Sequence, residues 1–536
     1  MSAWTDAMVR AALGLAQPAV AVSFSAISTD SRTIVPGSLF VALKGEHFDA
    51  HEFLSDIAAK GARGAVVQRV PANVPADLIL YRVEDTTRAL GMLGRHRRRT
   101  LGVRLCAVTG SNGKTTTKEI LRAMLSARYR VHATTGNFNN LIGTPLTLLA
   151  TPDDAEVIVA ELGTSAPGEI ARLAEIVEAD AAVVTAISEE HLEGLGDLRG
   201  VLEEETALLP SLPQDGLAVV ADEPPELAIA ARAKAPRIGV AGWSDRADAQ
   251  LRAERVDLDA NGHVTFALNG RDVYLPLRGR HNARNALIAL GIALHYGVSV
   301  EEALARLAEL KPAKMRGEVH EHGAMKIIVD CYNSNPASLT AAIDLLASMP
   351  HQGARVAIVG SMLELGPGSA ELHANAAREI AAQNFDVVVA TGEFVPAFQP
   401  HAAALGDHLI AVSDPLAAFE QLADRLVGDE LILLKGSRGV ALERLLPRFE
   451  AISGVPHPHG EAGRPGARSP RTDKRDDAQS AGHSQAYTGE GAGAGEGAGG
   501  SGSGSGLEGA GRDRGAEPAA TPTAPAPASD SEGGAR

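Results

Sequence analysis

Residues 109–117 read Thr109-Gly110-Ser111-Asn112-Gly113-Lys114-Thr115-Thr116-Thr117, directly after the apolar run 105–108 and directly before a helical pattern. A strand that turns through glycines into a helix N-terminus aims several backbone N–H groups and the positive end of the helix dipole at one point, where a phosphate can sit. In that arrangement Lys114 neutralises the outer phosphates and the Thr115 hydroxyl holds magnesium. Gly110, Ser111, Asn112, Gly113 and Thr116 complete the cradle. The general phosphate-loop pattern wants a glycine where this chain has Val108, so the loop is the shorter T-G-x-x-G-K-T form. Ile120, Leu121, Met124 and Leu125 recur at helical spacing after it, so strand, loop and helix are all present. The chemistry in outline is that of an ATP site.

Two more residues fall on the same sheet edge. Glu161 closes the apolar run 157–160, at the carboxyl end of a strand where open α/β sheets bind ligands, and is a magnesium candidate. His191, in Ser188-Glu189-Glu190-His191-Leu192-Glu193-Gly194, emerges just past the run 182–185 and is a second metal candidate.

The elements that must hold these residues give an α/β fold class. Apolar runs at 105–108, 157–160, 182–185 and 217–221 alternate with helical segments, the pattern of a parallel sheet covered on both faces. Residues 1–99 form a smaller α/β unit, with strands at 38–45 and 64–67 around a helical stretch 51–61. Arg95-His96-Arg97-Arg98-Arg99 marks its end and reads as a solvated helix terminus without a site. A third unit starts near Lys311-Pro312 and repeats the design, with strands at 326–329, 355–359, 386–390 and 430–434. It is Rossmann-like, without a glycine fingerprint for a dinucleotide. The expected domains are 1–99, 100–311 (the ATP-binding unit) and 312–450.

The chain of 536 residues carries a net charge of −16, about −13 of it in residues 1–450. Such a surface repels nucleic acid, so phosphate-bearing ligands must be met by local basic groups. The two cysteines, Cys106 and Cys331, both lie in apolar runs and read as buried thiols in a reducing compartment. The N-terminus lacks a basic stretch followed by an apolar one, and no run of apolar residues is long enough to span a bilayer. A cytoplasmic chain without membrane insertion is expected. From residue 451 onward Gly, Ser, Ala, Pro and Glu dominate, which reads as a disordered tail unable to offset its chain entropy by burial.

The blocks just described, taken with several others, resemble the Mur ligase family. The others are Asp30-Ser31-Arg32, residues 37–45, Phe48-Asp49-Ala50-His51, residues 136–145, Glu161-Leu162-Gly163, His191-Leu192-Glu193-Gly194, residues 279–286, Asp330-Cys331-Tyr332-Asn333-Ser334-Asn335-Pro336 and Lys435-Gly436-Ser437-Arg438. They run in order over residues 23–450. The segments 48–51 and 137–145 point to the branch that joins D-alanyl-D-alanine to UDP-N-acetylmuramoyl-tripeptide, in peptidoglycan precursor assembly.

The resemblance implies roles. Ser31 and Arg32 lie near the uridine diphosphate, and Arg32 suits it because its fork of donors matches paired oxygens. Asn139, Asn140 and Thr164 meet the peptide-bearing substrate; Asn282 lies against adenine; Arg316, Asp330 and Asn333 complete the ATP site from the third unit. Lys435, Ser437 and Arg438 receive the dipeptide's carboxylate. Lys114, Glu161 and His191 are the catalytic set, ATP the co-substrate and Mg2+ the metal. The chain is read as a monomer, with the tail available to cell-wall or division proteins. Family members commonly carry a carbamylated lysine on the helix after the histidine segment. Here Glu205 stands at that position, inside Glu203-Glu204-Glu205, and is expected to supply a hard oxygen ligand in its place. Glu203 and Glu204 read as a solvated helix face. The other readings are a sibling ligase adding the third amino acid, a folyl-polyglutamate synthetase, and a nucleotide-binding scaffold for wall synthesis.

Overall fold

The computed structural model describes residues 4–16, 21–46 and 48–453. Near the start, strands β1 (Ile27–Ser28), β2 (Leu39–Val41), β3 (Gly64–Val67) and β4 (Ile79–Arg82) form a parallel sheet in sequence order. The β2 and β3 side chains are buried on both faces, as parallel strands require. The segment 48–51 is largely architecture. Asp49 caps the turn Ala50–Phe53, and the buried His51 ring holds Asp49 at 2.6 Å and accepts the Gln68 amide at 2.9 Å.

Helix α1 (Thr86–Leu101) is capped by Asp85 and stopped by Gly102 in the left-handed region. Its last turns carry the arginine run, and here the expectation of a solvated end is corrected. Arg97 and Arg98 are buried. Arg97 donates to the Thr151 carbonyl and the Asp153 carboxylate, both at 2.6 Å. Arg98 donates to the Val177 carbonyl at 3.1 Å and to Asp180 at 2.7 Å, and Arg95 and Arg99 both hold Glu178 at 2.6 Å. The cause is physical: a neighbouring helix ends at Val177 and its last carbonyls need donors, which Arg98 supplies, while Arg97 serves the Thr151 carbonyl.

The second sheet holds the phosphate loop. It comprises β5 (Arg104–Thr109) leading to helix α2 (Lys114–Leu125), β6 (Val131–Ala133), β7 (Val157–Glu161) before α3 (Glu169–Val177), β8 (Ala181–Val184) before α4 (Leu198–Glu205), β9 (Leu217–Ala221) and β10 (Ile238–Ala241). All six strands are parallel, in the order β10-β9-β8-β5-β7-β6. Strand β5 lies where the order reverses, so its loop opens between those of β7 and β8, the place where such sheets bind ligands. The edge strands β6 and β10 have weaker apolar patterns and were not expected. A three-stranded antiparallel sheet, β11 (Arg255–Leu258), β12 (His263–Leu268) and β13 (Arg271–Arg278), also not expected, precedes α5 (His281–His295), which packs on α2. Ile120, Leu121, Met124 and Leu125 of α2 are fully buried, as their spacing predicts.

A third sheet follows. Its strands β14 (Glu318–His322), β15 (Met325–Asp330) before helix α6 (Pro336–Ser348), β16 (Arg355–Val359), β17 (Val387–Ala390), β18 (Leu409–Ala411) and β19 (Leu431–Lys435) are ordered β14-β15-β19-β16-β17-β18. Only β14 runs antiparallel. The last helix, α7 (Leu446–Ser453), passes the expected boundary at 450 because Phe449 is buried in the third core. The expected disordered tail falls, from residue 454, outside the described residues. Cys106 and Cys331 are buried and unpaired. Among the described residues no helix is long and apolar enough to cross a membrane.

Candidate active site

The loop between β5 and α2 can be traced only with glycine at two points. Gly110 has φ +117° and Gly113 φ +85°, where side chains are strained. A Cβ on Gly110 would meet the Thr185 hydroxyl at 2.4 Å, and one on Gly113 the Asn285 amide at 2.6 Å. The end of β8 holds the loop from the other side. Thr185 donates to the Asn112 carbonyl at 2.6 Å, and the Ser111 amide donates to the Ala186 carbonyl at 2.8 Å.

Lys114 folds back over this loop. Its ammonium donates to the Gly110 carbonyl at 2.5 Å and to Glu190 at 3.2 Å. Burial works against its charge, but the carboxylates of Glu190, Glu205 and Glu161 outweigh that and hold it above the ordinary lysine value. Lys114 is therefore cationic, as a phosphate ligand must be. Burial pushes Glu190 up, against the pull of Lys114 and with help from Glu205. One ammonium thus serves several carboxylates.

Thr115 and Glu161 meet as expected: the Thr115 hydroxyl donates to Glu161 Oε1 at 3.2 Å and the Asn139 amide donates to the same oxygen at 3.0 Å. The solvated strand end is excluded, because Glu161 is 2% exposed. Its Oε2 has no hydrogen-bond partner; the nearest cation, the buried Lys118, lies 3.8 Å away. An orphaned buried carboxylate oxygen beside a phosphate loop fits a hard cation, so the residues present suit magnesium. Among the described residues no three His, Cys, Asp or Glu side chains converge on one metal position. That also fits magnesium, which takes one or two carboxylates and completes its shell with water and phosphate.

The remaining residues divide between this cluster and other tasks. Thr116 is half-buried in the first turn of α2. His191, in the left-handed region at φ +52°, binds Glu364 of the third sheet's side through Nδ1. Glu205 is buried, accepting from the Thr109 hydroxyl and, at 2.8 Å, the Gly110 amide; its other oxygen is orphaned. Glu203 is exposed and paired with Lys234, as expected. Glu204 corrects the solvated-face reading: it is buried and accepts the Gly168 and Ile170 amides at 2.7 Å, satisfying the N-terminus of α3. Thr164 is drawn into that cap, donating to Glu204 at 3.2 Å. Asn140 uses its carbonyl oxygen on the Ile142 and Gly143 amides.

Asn282 is buried beneath the loop, donating to the Arg278 carbonyl and accepting from Asn285 at 2.9 Å. His281 beside it is exposed at the start of α5, and the next group stands at the end of the third sheet's strand β19. There Lys435, 2% exposed, holds Asp330 at 3.2 Å and the Asn333 carbonyl at 2.6 Å, so it braces Asn333 from within. The Ser437 hydroxyl accepts the Leu363 amide at 3.0 Å. Arg438 pairs with Glu443 at 2.9 Å, and Arg316 stacks over Tyr332 at 4.3 Å. In the first sheet's loop, the exposed fork of Arg32 is taken by Asp30 at 2.9 and 2.8 Å, and the Ser31 carbonyl by Lys60 at 2.6 Å.

Four members of the site were missed from sequence: Lys118, Ser188, Glu190 and Asn285. Lys118 carried a signal, one helical turn beyond Lys114; Asn285 lay likewise one turn beyond Asn282. Ser188 and Glu190 carried none apart from the histidine segment.

Comparison with known proteins agrees with this architecture. Residues 108–293 match the Mur ligase middle domain, and residues 315–438 match the Mur ligase, glutamate ligase domain. The UDP-N-acetylmuramoyl-tripeptide–D-alanyl-D-alanine ligase of Bacillus subtilis is 35% identical over 428 residues, 78% of this chain and 92% of the relative. The crystal structure of MurF from Acinetobacter baumannii superposes with TM-score 0.76 at 30% identity, covering 84% of this chain and 99% of that one. MurF from Thermotoga maritima in complex with ADP gives TM-score 0.70 at 27% identity, covering 80% and 97%. A shared length and fold of that extent, over a loop built for phosphate, place this chain in the Mur ligase family, among the UDP-N-acetylmuramoyl-tripeptide–D-alanyl-D-alanine ligases.

Proposed function

We propose that the chain joins D-alanyl-D-alanine to UDP-N-acetylmuramoyl-tripeptide at the expense of ATP, forming an amide bond. The observation that carries the reading is the cationic Lys114 folded over the glycine loop, beside a Glu161 carboxylate with one free buried oxygen. The loop amides and Lys114 offset charge on the γ-phosphate as the tripeptide carboxylate attacks it. The P–O bond to ADP breaks and an acyl phosphate forms. The dipeptide's amine attacks the acyl carbon, loses a proton, and expels inorganic phosphate. Thr115 and Glu161 would hold magnesium, with His191 and Glu205 completing its surroundings; bound there, it supplies charge neutralisation at the phosphates.

Asn139 sits on the Glu161 oxygen and orients that carboxylate, while its neighbourhood on the sheet edge faces the incoming peptide. Ser31 and Arg32 take the uridine diphosphate once Arg32 exchanges Asp30 for phosphate oxygens, a bidentate match in both cases. Asn140 reaches substrate with the amide donor that its own turn leaves free, Thr164 and Ser437 by exchanging their present acceptors, and Arg438 meets the dipeptide carboxylate in exchange for Glu443. Asn282, Arg316, Asp330 and Asn333 shape the nucleotide's base and ribose side, and Lys435, expected at the dipeptide's carboxylate but buried on Asp330 and the Asn333 carbonyl, supports that side from beneath. The division at 99/100 and 311/312 belongs to the same proposal, as does the cytoplasmic setting in which these substrates are met.

The test is an ADP-release assay with a panel of UDP-muramoyl peptides and D-alanyl-D-alanine, with the product weighed by mass spectrometry. Product is expected only when tripeptide, dipeptide, ATP and magnesium are all present. Turnover with UDP-muramoyl-dipeptide and a diamino acid, and none with the tripeptide, would favour the sibling ligase.

A further inference from the structure

One side chain of the third sheet's side reaches the phosphate loop itself. Asn335, 2% exposed, caps helix α6: its Oδ1 accepts the Ser338 amide at 2.9 Å. Because the cap fixes which end of the amide is oxygen, the orientation of Nδ2 is fixed as well. That nitrogen donates to Asn112 Oδ1 at 3.1 Å and to the Ser188 hydroxyl at 3.3 Å. In return Asn112 Nδ2 donates to Asn335 Oδ1 at 3.1 Å and to Ser188 at 2.7 Å. Ser188 is tied to the loop a second time, its amide donating to the Ser111 hydroxyl at 3.0 Å. Two carboxamides thus form a reciprocal pair across 223 residues of sequence, closed by a buried hydroxyl.

Such a pair is easily satisfied by water when the two sides are apart and costs little to open, but once closed in a dry site it fixes both partners. Asn112 is the loop residue between Ser111 and Gly113, so fixing its side chain fixes the peptide planes that would face phosphate. We propose that Asn335 is a positioning residue: from the third sheet's side it orders the phosphate loop through the Asn112–Asn335 amide pair, so that the loop amides are aimed at the phosphate undergoing transfer. The inference rests on the proposed ligase reading for its kinetic consequence, and on geometry alone for its structural one.

The experiment uses the full chain with Asn335→Ser and Asn335→Asp, both of which keep an N-cap acceptor while removing the amide donor, and with Asn112→Ala as partner in a double-mutant cycle. The first readout needs no turnover: hydrogen exchange of the peptide spanning residues 109–117, without nucleotide. Loss of the pair is expected to speed exchange there by about tenfold in each Asn335 variant, with the unfolding temperature held. The second is kinetic: kcat falls by about tenfold or more while KM for ATP moves by less than about threefold, since Lys114 and the loop glycines are unchanged. Asn112→Ala/Asn335→Ser is expected to lose little beyond Asn112→Ala alone. Parental exchange in the loop of both Asn335 variants, or losses that multiply in the double variant, would overturn the inference. A parent that makes no amide product would count against the ligase reading and leave the exchange result to decide this one.

Discussion

Glu205 accepts the Gly110 amide at 2.8 Å through one carboxylate oxygen, while its other oxygen is buried without a partner. The residue therefore does two things at the strand-to-loop junction. It satisfies a loop donor, and it adds negative charge to the field around Lys114.

These separate by substitution. Glu205→Ala leaves the Gly110 amide unpaired and is expected to cost about 1–3 kcal/mol in chemical denaturation, whereas Glu205→Gln keeps an acceptor and should cost about 1 kcal/mol or less. In turnover the order changes. Glu205→Gln raises the magnesium needed for half-activity, Glu203→Gln leaves it unchanged, and the parent is indifferent to bicarbonate because no carbamate is involved. Parental magnesium dependence in Glu205→Gln would remove Glu205 from the metal's surroundings.

Lys114→Ala should abolish detectable ligation, a loss of at least about 1,000-fold in kcat, because it deletes charge stabilisation made chiefly in the transition state. From sequence alone the substitution looks neutral for folding. The structure revises that expectation, since Glu190, Glu205 and Glu161 lose their shared cation. Lys114→Ala is expected to lower the unfolding temperature, and Lys114→Ala/Glu190→Gln to recover much of it without recovering activity, as read by scanning calorimetry beside the ADP assay.

Arg98→Ala tests the junction between α1 and the second sheet. It removes a charged donor from Asp180 and from the end of α3, and about 2–3 kcal/mol of stability with it. Catalytic constants at a temperature where the variant is folded should be parental. Denaturation midpoints and kinetics on the same preparation check both halves.

The same junction predicts a pH dependence. Arg99 and Arg95 hold Glu178 at about 2, down from the ordinary 4.5, with burial opposing them. A lowered carboxyl contributes stability above its unfolded value of 4.5 and loses it as pH falls toward 2. The parent should therefore exceed Glu178→Gln in stability at neutral pH, with the two curves converging as pH falls through that window. Equal slopes for both proteins between about pH 5 and 3 would remove Glu178 as a contributor.

Much of the site was legible because its parts are local. The phosphate loop, Thr115 and Glu161 follow from a strand, a glycine turn and a strand end, each visible within a dozen residues or so. What stayed hidden depends on neighbours far along the chain. The Arg98 side chain looks solvated until the carbonyls at the end of α3 arrive to receive it, Arg97 until the Thr151 carbonyl does, and Glu204 until the amides at the start of α3 do. Asn335 reads as a helix cap, which it is; its second task needs Asn112, and no local pattern joins the two. The edge strands β6 and β10 and the antiparallel insertion escaped because short strands with mixed faces carry little periodic signal.

The account's central claim is that this loop activates the tripeptide's carboxylate by phosphoryl transfer. It is tested most directly by supplying UDP-N-acetylmuramoyl-tripeptide labelled with oxygen-18 in the reacting carboxylate, with ATP, magnesium and D-alanyl-D-alanine, and weighing the inorganic phosphate released. The attacking carboxylate oxygen becomes the bridge of the acyl phosphate and leaves with phosphorus when the amine attacks carbon. One labelled oxygen in each phosphate is the predicted result. Unlabelled phosphate alongside amide product would contradict it.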